Sequence, residues 1–321
     1  MTPSKSSGSA HEPAANPTPV AGANAESGLG SGSGFGSGRD SGSGPWSDLD
    51  RPPLSAASLR RALVRPGGLW TVLDVVSSTG STNVDLAARA VDDPEGAVLI
   101  AEKQTAGRGR LDRSWSAPAR SGIFLSVLLK PREVPVERWG WLPLLAGVAT
   151  ATALSRTAGV DTALKWPNDL LVTVEGEERK AGGILAERAG AGEEAGVVLG
   201  IGLNITLTAD ELPVPGAGSL ALAGAKSTDR DPLVRAVLRS LEQWYGDWRA
   251  AGGDPAASRL QETYAAGCAT LGRRVRAELP GDRTLTGEAT ALDADGRLVV
   301  TTADGSREAV GAGDVVHVRA E

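Results

Sequence analysis

The densest group of chemically capable residues is the segment AGRGRLDRSW, residues 106–115. Glycines let backbone amides approach an anion closely, and arginine offers planar, paired donors that suit phosphate or carboxylate. Trp115 adds a flat face for stacking. The segment predicts an anion-binding loop. The alternative is an exposed arginine-rich hairpin, because 27 of the 33 basic residues are arginine. The glycines and cations concerned are Gly107, Arg108, Gly109, Arg110 and Arg113.

This loop matches neither common nucleotide-binding motif. It lacks the GK[ST] ending of a Walker loop, and Asp112 stands where a GxGxxG turn needs its third glycine. The chain also has few covalent catalysts, since its only cysteine is Cys268 and its histidines are His11 and His317. This scarcity excludes an internal disulfide framework, a multi-cysteine zinc site and most Ser-His-Asp schemes.

Lysine is rare, with six residues in the chain, so each lysine is informative. Lys180 precedes two glycines in KAGGIL, where the backbone could pack closely around a ligand. A solvated lysine is the alternative. A second lysine opens the motif KWPND, residues 165–169, between two predicted strands. There Pro167 and its polar neighbours also fit an ordinary β-turn.

Two further motifs offer polar side chains at element ends. GSTN, residues 80–83, could bind a ligand or could simply cap a helix. GIGLN, residues 200–204, ends an apolar strand at Asn204, whose amide has the donor and acceptor geometry that suits adenine. A polar strand end satisfied by backbone groups is the alternative.

Hydrophobic periodicity predicts the elements that carry these motifs. Strands and helices alternate over about 220 residues, which favours an α/β or α+β core. The predicted helices are 55–65, 84–91, 139–158, 233–250 and 256–264. The predicted strands are 69–76, 97–104, 122–130, 162–165, 170–173, 181–187 and 196–205.

The two ends of the chain differ from this core. Thirteen of the seventeen residues 28–44 are glycine or serine, which predicts a disordered tail over residues 1–50. Beyond Leu271, five short alternating runs separated by turn signals predict a small β-barrel. The predicted domains are therefore a tail at 1–50, a catalytic domain at 51–269 and a barrel at 270–321.

Composition limits the classes of partner and location. The formal net charge of −6 and pI of about 5.2 argue against a free-standing nucleic-acid binder. The longest apolar stretch, residues 141–154, is fourteen residues long, shorter than the roughly 20 that span a bilayer. The N-terminus shows no apolar signal region. We therefore predict a cytoplasmic protein without membrane or nucleic-acid partners.

In order along the chain, GSTN, AEKQTAGRGR, KWPNDLL, KAGGIL and GIGLN resemble the motifs of the biotin protein ligases. The resemblance covers about residues 70–321. It implies an α+β fold, in which a mixed-sheet catalytic core like that of class II synthetase-like biotin/lipoate ligase domains precedes an SH3-like β-barrel. It also implies an activity in which biotin and ATP, with Mg²⁺, form biotinyl-5′-AMP. Biotin then passes to one lysine of a biotin carboxyl carrier domain in a biotin-dependent carboxylase.

The resemblance assigns a biotin pocket residue by residue. The GSTN turn and the end of a strand line the ureido pocket, and the GRGR loop folds over biotin and the phosphates. Lys180 contacts the biotin carboxylate and the bridging phosphate region. The residues implied for biotin are Ser81, Thr82, Asn83, Gln104, Arg108, Gly109, Arg110 and Lys180.

The nucleotide site and the catalytic groups follow from the same resemblance. Arg113 and Trp115 flank the nucleotide, with Trp115 near adenine, and Asn204 faces adenine. Arg319 is a candidate for contact with nucleotide or carrier. Asp169 is expected near the site of amine attack, as a base or orienting group. The implied catalytic residues are Lys180, Arg110 and Asp169.

Two departures from the family pattern matter. Leu111 and Asp112 stand where a variable residue and a glycine are common, so the mobility of the loop is expected to differ. Only about twenty residues that could be ordered precede the core, too few for a winged helix, so we predict no repressor activity. The alternatives are a lipoate–protein ligase, whose RRxxGGGxVxH run is absent, and a non-catalytic biotin-binding regulator.

Overall fold

The computed structural model describes residues 50–111, 113–279, 283–311 and 314–317. The helices that pack around the sheets are α1 (Ala56–Leu63), α2 (Thr82–Ala88), α3 (Leu142–Ala158), α4 (Arg230–Ala250) and α5 (Leu260–Gly267). The strands before residue 205 are β1 (Val72–Val76), β2 (Ala97–Ala101), β3 (Gly107–Arg108), β4 (Ser114–Trp115), β5 (Gly122–Leu129), β6 (Ala163–Lys165), β7 (Asp169–Val174), β8 (Glu177–Ala189) and β9 (Gly196–Asn204). The strands after residue 270 are β10 (Arg274–Leu279), β11 (Arg283–Leu292), β12 (Leu298–Thr301), β13 (Arg307–Val310) and β14 (Asp314–His317).

A seven-stranded mixed sheet forms the centre of the core, in the order β1-β2-β5-β9-β8-β7-β6. Only the β1–β2 pair is parallel within this sheet. Strand β5, an inner strand of this sheet, is buried on both faces, so its sequence is an unbroken apolar run rather than an alternating one.

Alternate residues of β5 serve different sides of the sheet, as the period of two requires. Val127 and Leu129 join the large core that α3 and α4 complete. Leu128 packs into a smaller cluster with Leu86 of α2. Ser126 has the same parity as Leu128, so it lies on the α2 face, the face on which the candidate site is built.

A second sheet, all antiparallel, has the order β13-β12-β11-β10-β14. Its connection to the core runs through Trp166, which is 2% exposed. The Trp166 backbone N–H donates to Thr270 Oγ1 at 3.0 Å, and its indole N–H donates to the Gly296 carbonyl at 3.0 Å. Because Trp166 belongs to KWPND, the small sheet holds the turn that leads into β7.

The sequence predicts most elements correctly, including five strands after residue 270, but several bounds differ. Helix α2 begins at Thr82 instead of residue 84, and β8 begins at Glu177 instead of residue 181. The segment after the second strand, expected to be an anion-binding loop with a hairpin as the alternative, contains the short β3–β4 hairpin. Helix α5 starts at Leu260 rather than residue 256, because Asp254 first accepts two backbone N–H groups in a turn.

Several expectations fall outside the described residues or remain predictions. Residues 1–49 of the predicted disordered tail lie outside them, as do Asp112 and Arg319. The domain limits 51–269 and 270–321 stay predictions. Among the described residues, no helix has both the length and the apolar character that crossing a bilayer requires.

Candidate active site

A cavity of about 1880 Å³ opens on the α2 face of the large sheet. It gathers the residues that the sequence predicted from five separate motifs. Arg319, the remaining predicted site residue, lies outside the described residues. The predicted site residues that line the cavity are Ser81, Thr82, Asn83, Gln104, Arg108, Gly109, Arg110, Arg113, Trp115, Asp169, Lys180 and Asn204.

At one end of the cavity, the GSTN turn is held against Gln104, which lies just beyond the end of β2. Thr79 and Gln104 form a parallel bridge between the two segments. The Gln104 side-chain oxygen accepts from the Thr82 backbone N–H at 2.9 Å and from the Thr82 hydroxyl at 3.1 Å. Gln104 therefore fixes the start of α2, and its amide nitrogen makes no hydrogen bond to the part of the chain that the structure describes.

Asn83 lines the cavity but is 3% exposed, and three protein groups hold its side chain. Its side-chain N–H groups donate to the Leu185 carbonyl at 3.2 Å and to Glu187 at 2.8 Å, and its oxygen accepts from Ser126 at 2.6 Å. A Cβ on Gly200 would lie 2.2 Å from that oxygen, so only glycine leaves room for this arrangement. Asn83 therefore fixes the shape of the turn more than it offers donors to a ligand.

The GRGR motif forms the β3–β4 hairpin over the cavity. Gly107 pairs with Trp115, and the Gly109 backbone N–H donates to the Arg113 carbonyl at 2.7 Å. A Cβ on Gly107 would lie 2.4 Å from the Trp115 carbonyl oxygen, so this close pairing requires glycine. Arg110 reaches across the cavity and donates to the Asn168 side-chain oxygen at 3.2 Å.

Trp115 lies on a floor of two glycines. Cβ atoms on Gly202 and Gly183 would come within 3.1 and 3.3 Å of its ring. The Lys180 ammonium is 5.8 Å from the ring centroid, a cation–π distance. The buried indole N–H finds no acceptor among the described residues. The hairpin, the floor and Lys180 thus meet at one aromatic ring.

Lys180 and Asp169 form an ion pair of 2.5 Å in the cavity wall. The backbone of Lys180 is fixed independently of its side chain, because its N–H donates to the Gly216 carbonyl and its carbonyl accepts from the Gly218 N–H. Asn168 clamps the KWPND turn onto β8 by donating to the Ile184 carbonyl at 2.8 Å. A cation and a carboxylate are therefore held side by side where an anion and an amine could both enter.

Asn204 ends β9 at the other side of the cavity and is 3% exposed. One of its side-chain N–H groups donates to the Gly218 carbonyl at 3.0 Å. The remaining N–H and the amide oxygen have no hydrogen bond within the described residues. A donor and an acceptor side by side match one edge of adenine.

Other lining residues were not predicted from the sequence. Arg273, just before β10, forms a salt bridge of 2.6 Å with Glu178 of β8. His317 of β14 also lines the cavity. Burial is the main cause that lowers the pKa of His317 to about 4. The positive charges of Lys165 and Arg273 contribute to the same lowering. The hydrogen bond from Arg273 lowers the pKa of Glu178. The sequence gives no local signal for residues that two distant elements bring together.

Glu187 contacts two residues of the cavity wall and was also not predicted, but the strand pattern of the sequence does indicate it. It accepts the Asn83 side-chain N–H and pairs with Arg108 of the hairpin at 3.1 Å. It lies two and four residues beyond Leu185 and Gly183, which face the cavity, and alternation along a strand therefore points to it. Glu187 is the last residue of the predicted strand 181–187, but the sequence alone assigned it no role.

The described residues contain no group of three His, Cys, Asp or Glu side chains that could hold a metal ion. Carboxylates do occur at the cavity, including Asp169 and Glu178. Mg²⁺ commonly binds through substrate phosphates with one or two carboxylates, not in an all-protein cage. This donor set therefore fits a magnesium ion that is carried by a polyphosphate.

Comparison with known proteins decides the family. Residues 72–204 match the model described as the biotin/lipoate A/B protein ligase family, and residues 270–318 match the biotin protein ligase C terminal domain. The biotin--[acetyl-CoA-carboxylase] ligase of Mycobacterium tuberculosis is 46% identical over 274 residues, which is 84% of this chain and 97% of that protein. The chain belongs to the biotin protein ligase family. It is therefore a ligase.

Further members of the family agree. The bifunctional ligase/repressor of Bacillus subtilis is 34% identical over 239 residues, 73% of this chain and 70% of that protein. The Aquifex aeolicus biotin protein ligase in complex with biotin and ATP is 25% identical, with a TM-score of 0.64 over 78% of this chain and 100% of that one. These matches confirm the predicted α+β fold, a mixed-sheet core followed by a small SH3-like barrel. They favour neither a lipoate ligase nor a non-catalytic regulator.

Proposed function

We propose that this ligase makes biotinyl-5′-AMP from biotin and ATP and then biotinylates one lysine of a biotin carboxyl carrier domain. In the first step a biotin carboxylate oxygen bonds to the α-phosphorus, and the bond to pyrophosphate breaks. In the second step the lysine amine bonds to the acyl carbon, AMP leaves, and the amine loses a proton. No protein nucleophile is required, which suits a chain so poor in cysteine and histidine.

The observation that carries this proposal is the Lys180–Asp169 pair beside the GRGR hairpin. Bringing a carboxylate against a phosphate places two anions together, and a fixed ammonium offsets that repulsion and the charge of the transition state. Lys180 is suited to this task because its backbone is anchored in β8. Arg110, on the hairpin, would add a second cation and hold the hairpin closed over the intermediate.

The two ends of the cavity would bind the two ends of biotinyl-AMP. The turn that Gln104 fixes would take the ureido ring, together with Ser81, Thr82 and Asn83. Trp115 and Asn204 would take adenine, with Arg113 beside the nucleotide. Arg108 and Gly109 would lie over biotin as part of the hairpin, and Arg319 stays a candidate for nucleotide or carrier contact. Related structures support this assignment, since the Leishmania major biotin protein ligase has been solved with biotinyl-5-AMP at 25% identity and a TM-score of 0.51.

Asp169 would act in the second step. The acceptor lysine must be deprotonated before it attacks, and a carboxylate next to the intermediate can accept or orient that proton. In the free enzyme this carboxylate is paired with Lys180 at 2.5 Å. We propose that Lys180 turns toward the phosphate once ATP is bound, so that Asp169 becomes available to the incoming amine.

Magnesium enters the proposal only as part of the substrate MgATP. The ion would neutralise part of the polyphosphate charge. Asp169 and Glu178 are two of the carboxylates that line the cavity and could contact it. The partner protein of this ligase would be the carrier domain of a biotin-dependent carboxylase, since the Mycobacterium tuberculosis relative is named for acetyl-CoA carboxylase. The cytoplasmic location, and the lack of membrane or nucleic-acid partners, remain predictions.

The decisive experiment incubates the full chain with a purified carrier domain, biotin and MgATP, and measures the mass of the carrier. We expect the mass gain of one biotin amide, lost when the carrier's acceptor lysine is replaced by arginine. A parallel reaction with lipoate in place of biotin tests the related activity and should give no gain. A carrier that stays unmodified with biotin, or gains lipoate instead, would contradict the proposal.

A further inference from the structure

Glu187 joins two parts of the site that lie far apart in the sequence. One carboxylate oxygen accepts the Asn83 side-chain N–H at 2.8 Å, and the other pairs with the Arg108 guanidinium at 3.1 Å. Asn83 belongs to the turn at the biotin end of the cavity, whereas Arg108 belongs to strand β3 of the hairpin that covers it. One side chain thus contacts both the fixed pocket and its cover.

We infer that Glu187 is a positioning residue that sets the biotin turn with one oxygen and latches the GRGR hairpin with the other. This inference rests on the proposed function, and it adds a residue that neither the motifs nor the family resemblance had assigned. Glu187 itself need not touch substrate, because Asn83 and Arg108 lie between it and the cavity contents.

The Glu187 carboxylate has two contacts, the arm to Asn83 and the arm to Arg108, and these differ in environment. Asn83 is buried, and its other polar contacts are to Ser126 and the Leu185 carbonyl, so losing the Glu187 contact leaves a buried donor short of a partner. Arg108 is 46% exposed and the Glu187 side chain 28% exposed, so water can replace part of that contact. The arm to Asn83 should therefore control biotin binding strongly, and the arm to Arg108 should control hairpin opening more weakly.

Strand β8 gives the carboxylate a fixed base. Glu187 pairs in register with Val198 of β9, within an antiparallel run from Gly182 to Ala189. The sheet, not a loop, therefore fixes the distance between the turn and the hairpin. A change of the side chain should alter the two contacts without moving the strand.

The two arms can be separated with two variants. Glu187→Gln keeps an oxygen that accepts from Asn83, but its neutral amide no longer attracts Arg108. Glu187→Ala removes both contacts. Glu194→Gln is the matched control, because Glu194 also pairs with cations, Lys130 and Arg132, away from this cavity.

Calorimetry with biotin alone measures biotin affinity and so tests the arm to Asn83. The rate at which biotinyl-AMP is released into a trap tests the arm to Arg108. We expect Glu187→Ala to weaken biotin binding roughly tenfold, as loss of a charge-assisted hydrogen bond does. Glu187→Gln should stay within about threefold of the wild type. Both variants should release biotinyl-AMP about 3- to 5-fold faster, as loss of a partly exposed ion pair implies. The rate of adenylation at saturating biotin should change less than about twofold, and Glu194→Gln should match the wild type throughout.

A purely structural role would lower the melting temperature of Glu187→Ala but leave biotin affinity and release unchanged, and this result would overturn the inference. Equal losses of biotin affinity in the Gln and Ala variants would also overturn it, because the arms would then not be separable. Arg108→Gln should reproduce the faster release of Glu187→Gln, and the double variant should release no faster. If the wild-type chain binds biotin but forms no biotinyl-AMP, the proposed function fails, while the calorimetric test of the Asn83 arm still stands.

Discussion

Replacing Lys180 with alanine gives the sharpest test of the chemistry. The ammonium stands on a backbone fixed in β8, pairs with Asp169 at 2.5 Å and lies 5.8 Å from the Trp115 ring centroid. Removing one preorganised group that stabilises a developing anion typically costs roughly 10²- to 10³-fold in rate. Because 37% of the Lys180 side chain is exposed in the open cavity, water can partly replace it, and we expect the lower limit, about 100-fold.

The structure also predicts what should not change. The backbone hydrogen bonds of Lys180 to residues 216 and 218 remain in the variant, and a partly exposed ion pair contributes only about 0.2–1 kcal/mol to stability. The melting temperature of Lys180→Ala should therefore stay close to that of the wild type. Lys180→Arg should recover little activity, because a planar guanidinium cannot replace a compact ammonium packed against Trp115 and Gly183.

Rapid-quench measurement of biotinyl-AMP, followed by labelling of the carrier from preformed intermediate, separates the two steps. Lys180→Ala should be slow in the first step. Asp169→Asn is the matched partner variant and should be slow in the second step, by roughly 100-fold if the carboxylate is a general base. If Lys180→Ala forms biotinyl-AMP at nearly the wild-type rate but fails to label the carrier, Lys180 belongs to the transfer step and our reasoning is wrong.

Three further predictions follow from the geometry. Gly200→Ala should weaken biotin binding about tenfold or more in calorimetry, because its Cβ would lie 2.2 Å from the Asn83 oxygen and overpacking costs about 1–3 kcal/mol; Gly246→Ala, with no atom within 4 Å of its Cβ, is the control and should not. Arg110→Ala should release biotinyl-AMP about tenfold faster, as loss of a hydrogen bond to a charged group implies, with an unchanged melting temperature; unchanged release in the trapping assay would exclude a covering role for the hairpin. His317 has a folded pKa of about 4, below the ordinary histidine pKa of 6.5, so its protonation favours the unfolded chain, and stability should be lost as pH falls through that interval. His317→Asn should reduce the slope of unfolding free energy between these pH values, and equal slopes in urea titrations would refute the assignment.

The sequence predicted the site best where a motif lies within an apolar strand or next to one. The five motifs identified twelve of the residues that line the cavity, because each motif combines an unusual polar or charged residue with glycines in an apolar context. Asn204 is an example, since it is the polar end of an otherwise apolar strand, and Lys180 is another, since two glycines follow it closely. The apolar runs also predicted the central strands of the large sheet, with errors at their ends.

The sequence was least informative where the site depends on contacts between distant elements. Arg273 and His317 reach the cavity only because the small sheet packs beside β8, and nothing within either segment encodes that approach. Trp166 shows the same limit, because its packing depends on Thr270 and Gly296. The strands of the β3–β4 hairpin were not predicted for another reason: two paired residues on each side are too few for a periodic signal, so the hairpin stood only as an alternative.

Strand β9 shows how a regular backbone organises the chemistry. Its alternate residues Gly200, Gly202 and Asn204 face the cavity, and they respectively make room for Asn83, support the Trp115 ring and present an amide. Because side chains alternate along a strand, a slip of one residue would bring Leu199, Ile201 and Leu203 to these positions. Three bulky side chains would then displace the turn and the hairpin together, so the glycines of GIGLN act as one unit. This is why a five-residue motif predicts parts of the site that belong to three different segments.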